Sequence, residues 1–286
     1  MKRTTTNLII LLIVAFLGGF QTTEAQFFKK LKERAKQAAE EAVMQKTEEI
    51  AAEKVGKGMD KMFDFDFSKM SMDPAILPTT YDFEWKYTLK MQSKQGSFNI
   101  IYYLKPDAKY FGSRAVLPKK AMAGNMLMVQ DMGLDVMTIF MEANGMKSGH
   151  IVSTSVDEKF DPDAVEAEMM DAEEFSFKEI GSKEILGYQC QGFLMENKEM
   201  KMTMYVAMDA PVSFNQVYGG QPKKMPKGFD PKWLEKADSS IVMEMNMVHK
   251  KKKKFSAKMS CIGLDNEPMS INVSDYEFIK LDGGQE

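Results

Sequence analysis

The feature that most constrains the fold is the strict alternation of apolar and polar residues that begins at Tyr81. Over residues 81–92 the odd positions are aromatic or apolar and the even positions are Asp, Glu, Lys, Thr or Gln. Successive side chains of a β-strand point to opposite faces, so this pattern predicts a strand with one buried face and one wet face. That is the arrangement of an antiparallel sheet with a single covered face.

The same period continues, in shorter stretches, almost to the C-terminus. Together with residues 81–92 these stretches predict about ten strands in meander order, separated by turn signals such as Gln95-Gly96. The predicted strands are 98–104, 109–114, 125–131, 135–142, 146–153, 185–195, 200–208, 241–249, 254–262 and 270–279.

Three segments break the period, and two of them favour helices. Residues 27–57 carry apolar side chains at three- and four-residue spacing, and residues 231–236 follow Asp230 as N-cap. The acidic segment 157–174, with Pro162 near its start, is a short helix or a loop that crosses over the sheet. We therefore expect an α+β fold, in which short helices cover a curved antiparallel sheet and a separate helix precedes it.

The N-terminus has the anatomy of a secretory signal peptide. Lys2 and Arg3 precede the apolar run 8–20, and small and polar residues lead to Ala25. A membrane anchor is the alternative, but the run is shorter than the ~20 residues that a spanning helix needs. We expect cleavage after Ala25 and export to the periplasm or outer membrane. No cysteine stands at the cleavage site, so we do not expect a lipoprotein.

The remaining chain divides into unequal parts. The predicted organisation is a signal peptide at 1–25, a charged helix at 26–58, a linker at 59–80, one sheet domain at 81–280 and a disordered tail at 281–286.

The charged helix begins with basic residues, and acidic residues follow. Lys29, Lys30 and Lys32 lie on a solvated helix in one interpretation and touch an anionic membrane surface in the other. In a third interpretation the helix docks onto a protein partner. The formal net charge of −3 argues against general binding of nucleic acid.

Methionine is the outlier of the composition, with 27 of 286 residues. Many stand in a Met-x-Met pattern, which places them on one face of a strand. They form a packed core, a deformable cavity for an acyl chain, or a copper(I) site in which His249 continues the methionine face. The residues that we expect to line the cavity are Trp85, Tyr87, Leu89, Met126, Met128, Met200, Met202, Met204, Met243, Met245 and Met247.

The alternation also predicts burial. Trp85, Tyr87, Leu89, Met202, Met204, Met243 and Met245 are expected to be buried. Glu84, Lys86, Lys201 and Glu244 are expected to be exposed, because they alternate with the apolar residues. A register error of one residue would exchange the two sets.

Cysteine and catalytic signals are sparse. Cys190 and Cys261 form one disulfide in an oxidising compartment, or remain two lone thiols. No nucleophile-elbow, zinc-protease, Walker or dinucleotide motif is present, and the two histidines are far apart in the sequence. We therefore expect no enzyme, no cofactor and, in the leading interpretation, no metal.

A resemblance to a known family enters at residues 185–190. The segment Ile185-Leu186-Gly187-Tyr188-Gln189-Cys190 and the upstream strand 126–131 resemble the DUF4412 family, over roughly residues 80–280. The resemblance implies an exported bacterial protein with a fold similar to the lipoprotein carriers LolA and LolB, a half-barrel plugged by helices. It implies no established activity, and carriage of a lipid or lipoprotein transfers only by analogy.

The leading expectation is a non-enzymatic envelope protein that binds a hydrophobic ligand, such as a lipid or an acyl chain, in the concave face of the sheet. A periplasmic copper(I)-binding protein and a structural protein that docks through its N-terminal helix are the alternatives.

Overall fold

The computed structural model describes residues 72–94, 96–116, 125–143, 145–154, 175–214, 228, 230, 232, 239–251 and 256–278. These residues form twelve strands of one sheet. The strands are β1 (Thr80–Ser93), β2 (Gly96–Leu104), β3 (Tyr110–Val116), β4 (Asn125–Asp131), β5 (Val136–Ala143), β6 (Met146–Ser153), β7 (Ser176–Ile185), β8 (Tyr188–Glu196), β9 (Met200–Ala207), β10 (Ile241–His249), β11 (Ala257–Asn272) and β12 (Glu277–Phe278).

The sheet consists of two meanders that meet in its middle. Its order is β12-β6-β5-β4-β3-β2-β1-β11-β10-β9-β8-β7. Strands β1 and β11, the longest two, pair antiparallel from Thr80 opposite Asn272 to Ser93 opposite Ala257. All other neighbours are antiparallel as well, except that β12 runs parallel to β6. Because the ends do not meet, the sheet is open.

The predicted α+β class is wrong, because the described residues are almost entirely strand. They contain no α-helix, and the helical conformation among them is 3₁₀, as in the turns Pro74–Ile76 and Val273–Asp275. The open sheet also differs from the half-barrel with covering helices. The segments assigned to helices, 26–58, 157–174 and all of 231–236 except Lys232, lie outside the described residues.

Other predictions also fall outside the described part of the chain. They are the signal peptide at 1–25, the basic residues Lys29, Lys30 and Lys32, and the tail at 281–286. Within the described part, no helix has the length and apolarity required to span a bilayer.

Two strands differ from the prediction for physical reasons. The alternation predicts no strand before residue 185, because β7 is an edge strand with most of its side chains exposed and therefore shows no apolar period. The alternation predicts two strands, 254–262 and 270–279, where the structure has the single strand β11 of 16 residues. Its register against β1 shifts between Phe83 and Trp85 and again between Thr88 and Leu89, and such bulges disrupt the period of two.

The sheet buries a cluster on each of its two faces. One cluster is aromatic and packs under the C-terminal turn, where Tyr276 and Phe278 contact Phe140 at ring-centroid distances of 4.8 and 6.2 Å. Its buried polar group, Asp131, accepts a hydrogen bond from the Tyr81 hydroxyl at 3.2 Å. The members of this aromatic cluster are Tyr81, Phe83, Ile101, Tyr103, Val129, Phe140 and Ile271.

The opposite face carries Tyr87. The hydroxyl of Tyr87 on β1 donates a hydrogen bond to the carbonyl oxygen of Val242 on β10. Val242 lies where β10 does not pair with β11, because the pairing of these two strands covers only Glu244 to Met247. The beginning of β10 therefore approaches the face that carries Tyr87.

Candidate functional site

The face that carries Tyr87 is rich in methionine, and we call it the methionine face. It carries Tyr87 and Met91 of β1, and the strand register continues it in both directions. One row of directly opposed residues crosses six strands: Phe193, Met204, Met245, Met259, Met91 and Phe98. A second row continues from Tyr87 to the other end of the sheet through Tyr102, Ser113, Met128, Ile139 and His150.

The two halves of the methionine face differ in accessibility. On β4 and β5 four methionines are half-buried. Met126 is directly opposite Met141, and Met128 is directly opposite Ile139, so the four side chains are neighbours across one strand pair. We call this group the thioether patch; it comprises Met126, Met128, Met137 and Met141.

The thioether patch has a closed apolar floor. Ile139 and Val152 are 0% and 3% exposed, and the four methionines pack against them. His150, on the neighbouring strand β6 and opposite Ile139, is 1% exposed. A surface of half-exposed thioethers over a fully buried floor offers apolar contact to a ligand without opening the core.

Three aromatic rings of the methionine face, those of Tyr102, Phe111 and Phe214, lie beside the thioether patch. Phe111 of β3 is opposite Gln130 of β4, which in turn is opposite Met137 of β5. Phe214, from the segment that follows β9, packs edge-on against Tyr102 and Phe111 with centroid distances of 5.2 and 5.6 Å. Residues 208–214 therefore cover the centre of the methionine face.

The other half of the methionine face is a ladder of soft side chains on β9 and β10. Met204 is opposite Met245, Met202 is opposite Met247, and Met200 is opposite His249. These residues form the methionine ladder. Its four inner members, Met202, Met204, Met245 and Met247, are 1–6% exposed, whereas its outer pair, Met200 and His249, is half-buried.

The outer end of the methionine ladder is fixed by the turn between β8 and β9. The Asn197 carboxamide oxygen accepts hydrogen bonds from the backbone N–H groups of Glu199 at 2.9 Å and Met200 at 2.7 Å. Across the turn, the Lys250 ammonium group donates to the Asn197 carbonyl oxygen at 2.6 Å. It also pairs with Glu196 at 2.7 Å and thereby lowers the pKa of that carboxyl group. Met200 is thus held opposite His249.

The predicted burial is confirmed for most of the named residues. Tyr87, Leu89, Met202, Met204, Met243 and Met245 are buried, and Lys201 is exposed. Trp85 is only half-buried, at the point where the β1–β11 register shifts. Glu84, Lys86 and Glu244 are half-buried rather than exposed. Two of these three pair with neighbours, Lys86 with Glu267 and Glu244 with Lys183, each at 2.8 Å.

The expected lining residues do not form one site. Met126 and Met128 lie in the accessible thioether patch, whereas Met202, Met204, Met243, Met245 and Met247 are core residues and Met200 is at the open end of the methionine ladder. Met137 and Met141 were missed because the Met-x-Met pattern excludes them. Their spacing around Ile139 in a predicted strand was the available signal.

Cys190 and Cys261 are free thiols in the structure rather than the predicted disulfide. They belong to one core cluster, but they are on β8 and β11, with β9 and β10 between them. Each Sγ donates to a backbone carbonyl oxygen, that of Tyr188 at 3.4 Å and that of Gly263 at 3.3 Å. Burial raises the pKa of both thiols, and that of Cys261 to about 11.

The two thiols should be almost unreactive in the native protein. A thiolate is the reacting species, and with a pKa of about 11 only about one Cys261 thiol in a thousand is ionised at pH 8. We expect slow reaction with an aromatic disulfide reagent in the folded state and the immediate release of two thiols in denaturant without reductant. A fast native reaction would contradict the burial. No signal in denaturant would establish the disulfide.

Comparison with protein-family models gives one match. The model described as "Domain of unknown function (DUF4412)" matches residues 83–259. Among curated proteins, none matches the sequence.

Solved structures show a partial likeness. The structure of PNGF-II in space group C2 is 11% identical with a TM-score of 0.33; the match covers 71% of this chain and only 30% of that one. An uncharacterized conserved protein from Thermus thermophilus is 9% identical with a TM-score of 0.34, covering 68% and 82%. A putative outer membrane lipoprotein-sorting protein domain from Vibrio parahaemolyticus is 10% identical with a TM-score of 0.23, covering 64% and 84%.

Proposed function

The chain belongs to the DUF4412 family, and we propose that this member is an exported, non-enzymatic protein that binds an acyl chain on the thioether patch. The observation that carries the proposal is the contrast within one face. Five methionines of β9 and β10 are buried, whereas all four methionines of β4 and β5 are half-buried over a buried apolar floor. The five are Met202, Met204, Met243, Met245 and Met247.

Methionine suits such a surface because its side chain is unbranched and polarizable, and adapts its shape to the partner. Met126 and Met141 are opposite each other, and Met128 and then Met137 follow them along the strands, so the patch extends along β4 and β5. An acyl chain lying along this strand pair would contact all four thioethers.

Export is supported by the sequence alone. The basic start, the apolar run 8–20 and Ala25 have the order of a secretory signal, and a lipid or lipoprotein of the cell envelope is the ligand class that such a protein meets. A binding role rather than a catalytic one is supported by the composition of the thioether patch, whose four side chains carry no group that transfers protons.

The test is a titration with a dansylated fatty acid, whose emission rises when the probe enters an apolar site. We expect saturable binding to the unmodified chain. Met128→Lys and Met141→Lys should each weaken binding of the probe at least about tenfold, because an ammonium group would lie in the path of the acyl chain. A tenfold loss corresponds to a binding free energy of about 1.4 kcal/mol. Both positions are half-exposed, so the lysine head can reach water and the fold is retained.

Two controls separate the site from general apolar stickiness. Met128→Leu keeps an apolar surface and should bind the probe as the unmodified chain does. Met146→Lys introduces the same charge at an exposed methionine outside the patch, 54% exposed, and should leave binding unchanged. Absence of saturable binding to the unmodified chain, or an equal loss in Met146→Lys, would refute the proposal.

A further inference from the structure

We propose that the outer end of the methionine ladder binds one copper(I) ion through Met200, Met202, Met247 and His249. This site is separate from the thioether patch: it lies on β9 and β10, whereas the patch lies on β4 and β5, with β3, β2, β1 and β11 between the two strand pairs in the sheet. The two binding functions therefore concern different residues and are tested apart.

The strand register brings these four side chains together. Met202 is directly opposite Met247, and Met200 is directly opposite His249, all on one face. Directly opposed residues of an antiparallel pair have Cβ atoms about 4.5–5.5 Å apart. Successive pairs on one face follow about 6.5–7 Å further along the strands. Long, flexible thioether side chains reach from these corners to a common centre.

The ligand types select a soft, monovalent metal. Thioether sulfur favours copper(I), and imidazole is also a copper ligand. The described residues bring no three His, Cys, Asp or Glu side chains together for a metal ion, so the described part of the chain offers no competing site for a harder ion. A thioether carries no proton, so its binding to metal requires no deprotonation, unlike that of a thiol.

The site combines a buried interior with one open end. Met202 and Met247 are 1% and 4% exposed, whereas Met200 and His249 are half-buried at the strand ends. An ion can therefore enter beside Met200 and His249 and be coordinated away from water by the inner pair. The Asn197 hydrogen bonds and the Lys250 ion pair already hold this end in place, so little ordering is required on binding.

His249 supplies the one nitrogen. Its backbone N–H donates to the Ser256 hydroxyl at 3.1 Å, and its Nδ1 accepts from the Lys251 N–H at 3.3 Å. Coordination through Nε2 requires that the ring proton lie on Nδ1, so this long hydrogen bond to Lys251 is given up when copper binds. The imidazole is thus the adjustable ligand, and the three thioethers are the constant ones.

The experiment is an anaerobic titration of the full chain with copper(I) in competition with a chromophoric chelator. We expect one ion per chain and a sulfur shell of about three atoms in X-ray absorption spectra, one for each thioether of the site. The double variant Met202→Leu/Met247→Leu should lower the affinity more than about 100-fold, because it deletes ligands themselves and loss of an outer-shell partner alone costs 10–100-fold. Leucine conserves volume and apolarity, so the core remains folded.

The matched control is Met126→Leu/Met141→Leu, which removes two sulfurs from the thioether patch. Its copper(I) affinity should stay within about twofold of the unmodified chain, since distant sites act independently. If the unmodified chain loses its copper to the chelator, or if the control weakens binding as much as the ladder variant, the site does not exist. The ladder variant should still bind the dansylated fatty acid, so failure of the copper site and failure of acyl binding are distinguishable.

Discussion

Tyr87→Ala should destabilise the protein by about 3–5 kcal/mol, the range for removing a large buried aromatic side chain. Tyr87 is 2% exposed and is at the centre of the methionine face, in ring contact with Tyr102 at 6.1 Å and with Phe214 at 6.1 Å. Its removal would leave a cavity where the segment 208–214 covers the sheet. The free energy of unfolding, measured in urea, checks this prediction.

The milder variant Tyr87→Phe isolates the hydroxyl group. It leaves the ring contacts intact but removes the hydrogen-bond donor of the Val242 carbonyl oxygen, so we expect a loss of about 1–3 kcal/mol. Tyr205→Phe is the matched control, because the Tyr205 ring, rather than its hydroxyl, receives the Lys183 ammonium group at 3.9 Å. The control should change stability by less than about 0.5 kcal/mol. Equal losses in the two Phe variants would show that the bond to Val242 contributes nothing.

Gly192→Ala should cost about 3 kcal/mol, the upper end of the range for overpacking. A Cβ at Gly192 would lie 2.5 Å from the Gly181 carbonyl oxygen and 2.8 Å from Cε1 of Tyr205. The first contact is with backbone, so a side-chain rotation cannot relieve it. β7 would have to move away from β8 at the point where Gly181 already forms a bulge with a φ of 89°. For a chain of this size, such a loss lowers the Tm by roughly 6–12 °C.

Gly263→Ala is the control for the glycine prediction. Its Cβ would approach Oδ2 of Asp265 to 2.9 Å, but this atom is the end of a flexible, exposed side chain and can turn away. We expect a change within about 1 kcal/mol, partly offset by the lower entropy of the unfolded chain. Thermal unfolding of both variants, followed by circular dichroism, compares them. A Gly263→Ala loss as large as that of Gly192→Ala would contradict the steric explanation.

Strand positions were predictable from local pattern wherever one face of the strand is covered. β4, β6 and β10 have the bounds that the alternation predicts. β7 was not predictable, because an edge strand exposed on both faces shows no apolar period. The continuous β11 was not predictable either, since its bulges exist only through pairing with β1. The α+β class failed because it rested on segments that lie outside the described residues, while the described ones are strand.

The candidate sites show the same division between local pattern and pairing. Because alternate residues of a strand share a face, the sequence predicts that Met202 and Met204 lie on one face of β9. It predicts the same for Met245 and Met247 on β10, but it does not show that the two strands are neighbours. The structure confirms that they pair, with each Met202–Met247 and Met204–Met245 couple directly opposed. Cys190 and Cys261 show the reverse case. The even number of cysteines left a disulfide and two lone thiols open, and the structure has two free thiols, on β8 and β11.

The sequence by itself determined which side chains share a face of one strand, because the period of two is a property of the extended backbone. Only the tertiary structure decided how deep each face lies. The same Met-x-Met spacing produces a half-exposed patch at Met126 and Met128 and a sealed core at Met202 and Met204. The reason is that burial depends on the strands and segments that lie alongside and above, and these are brought together from residues far apart in the chain.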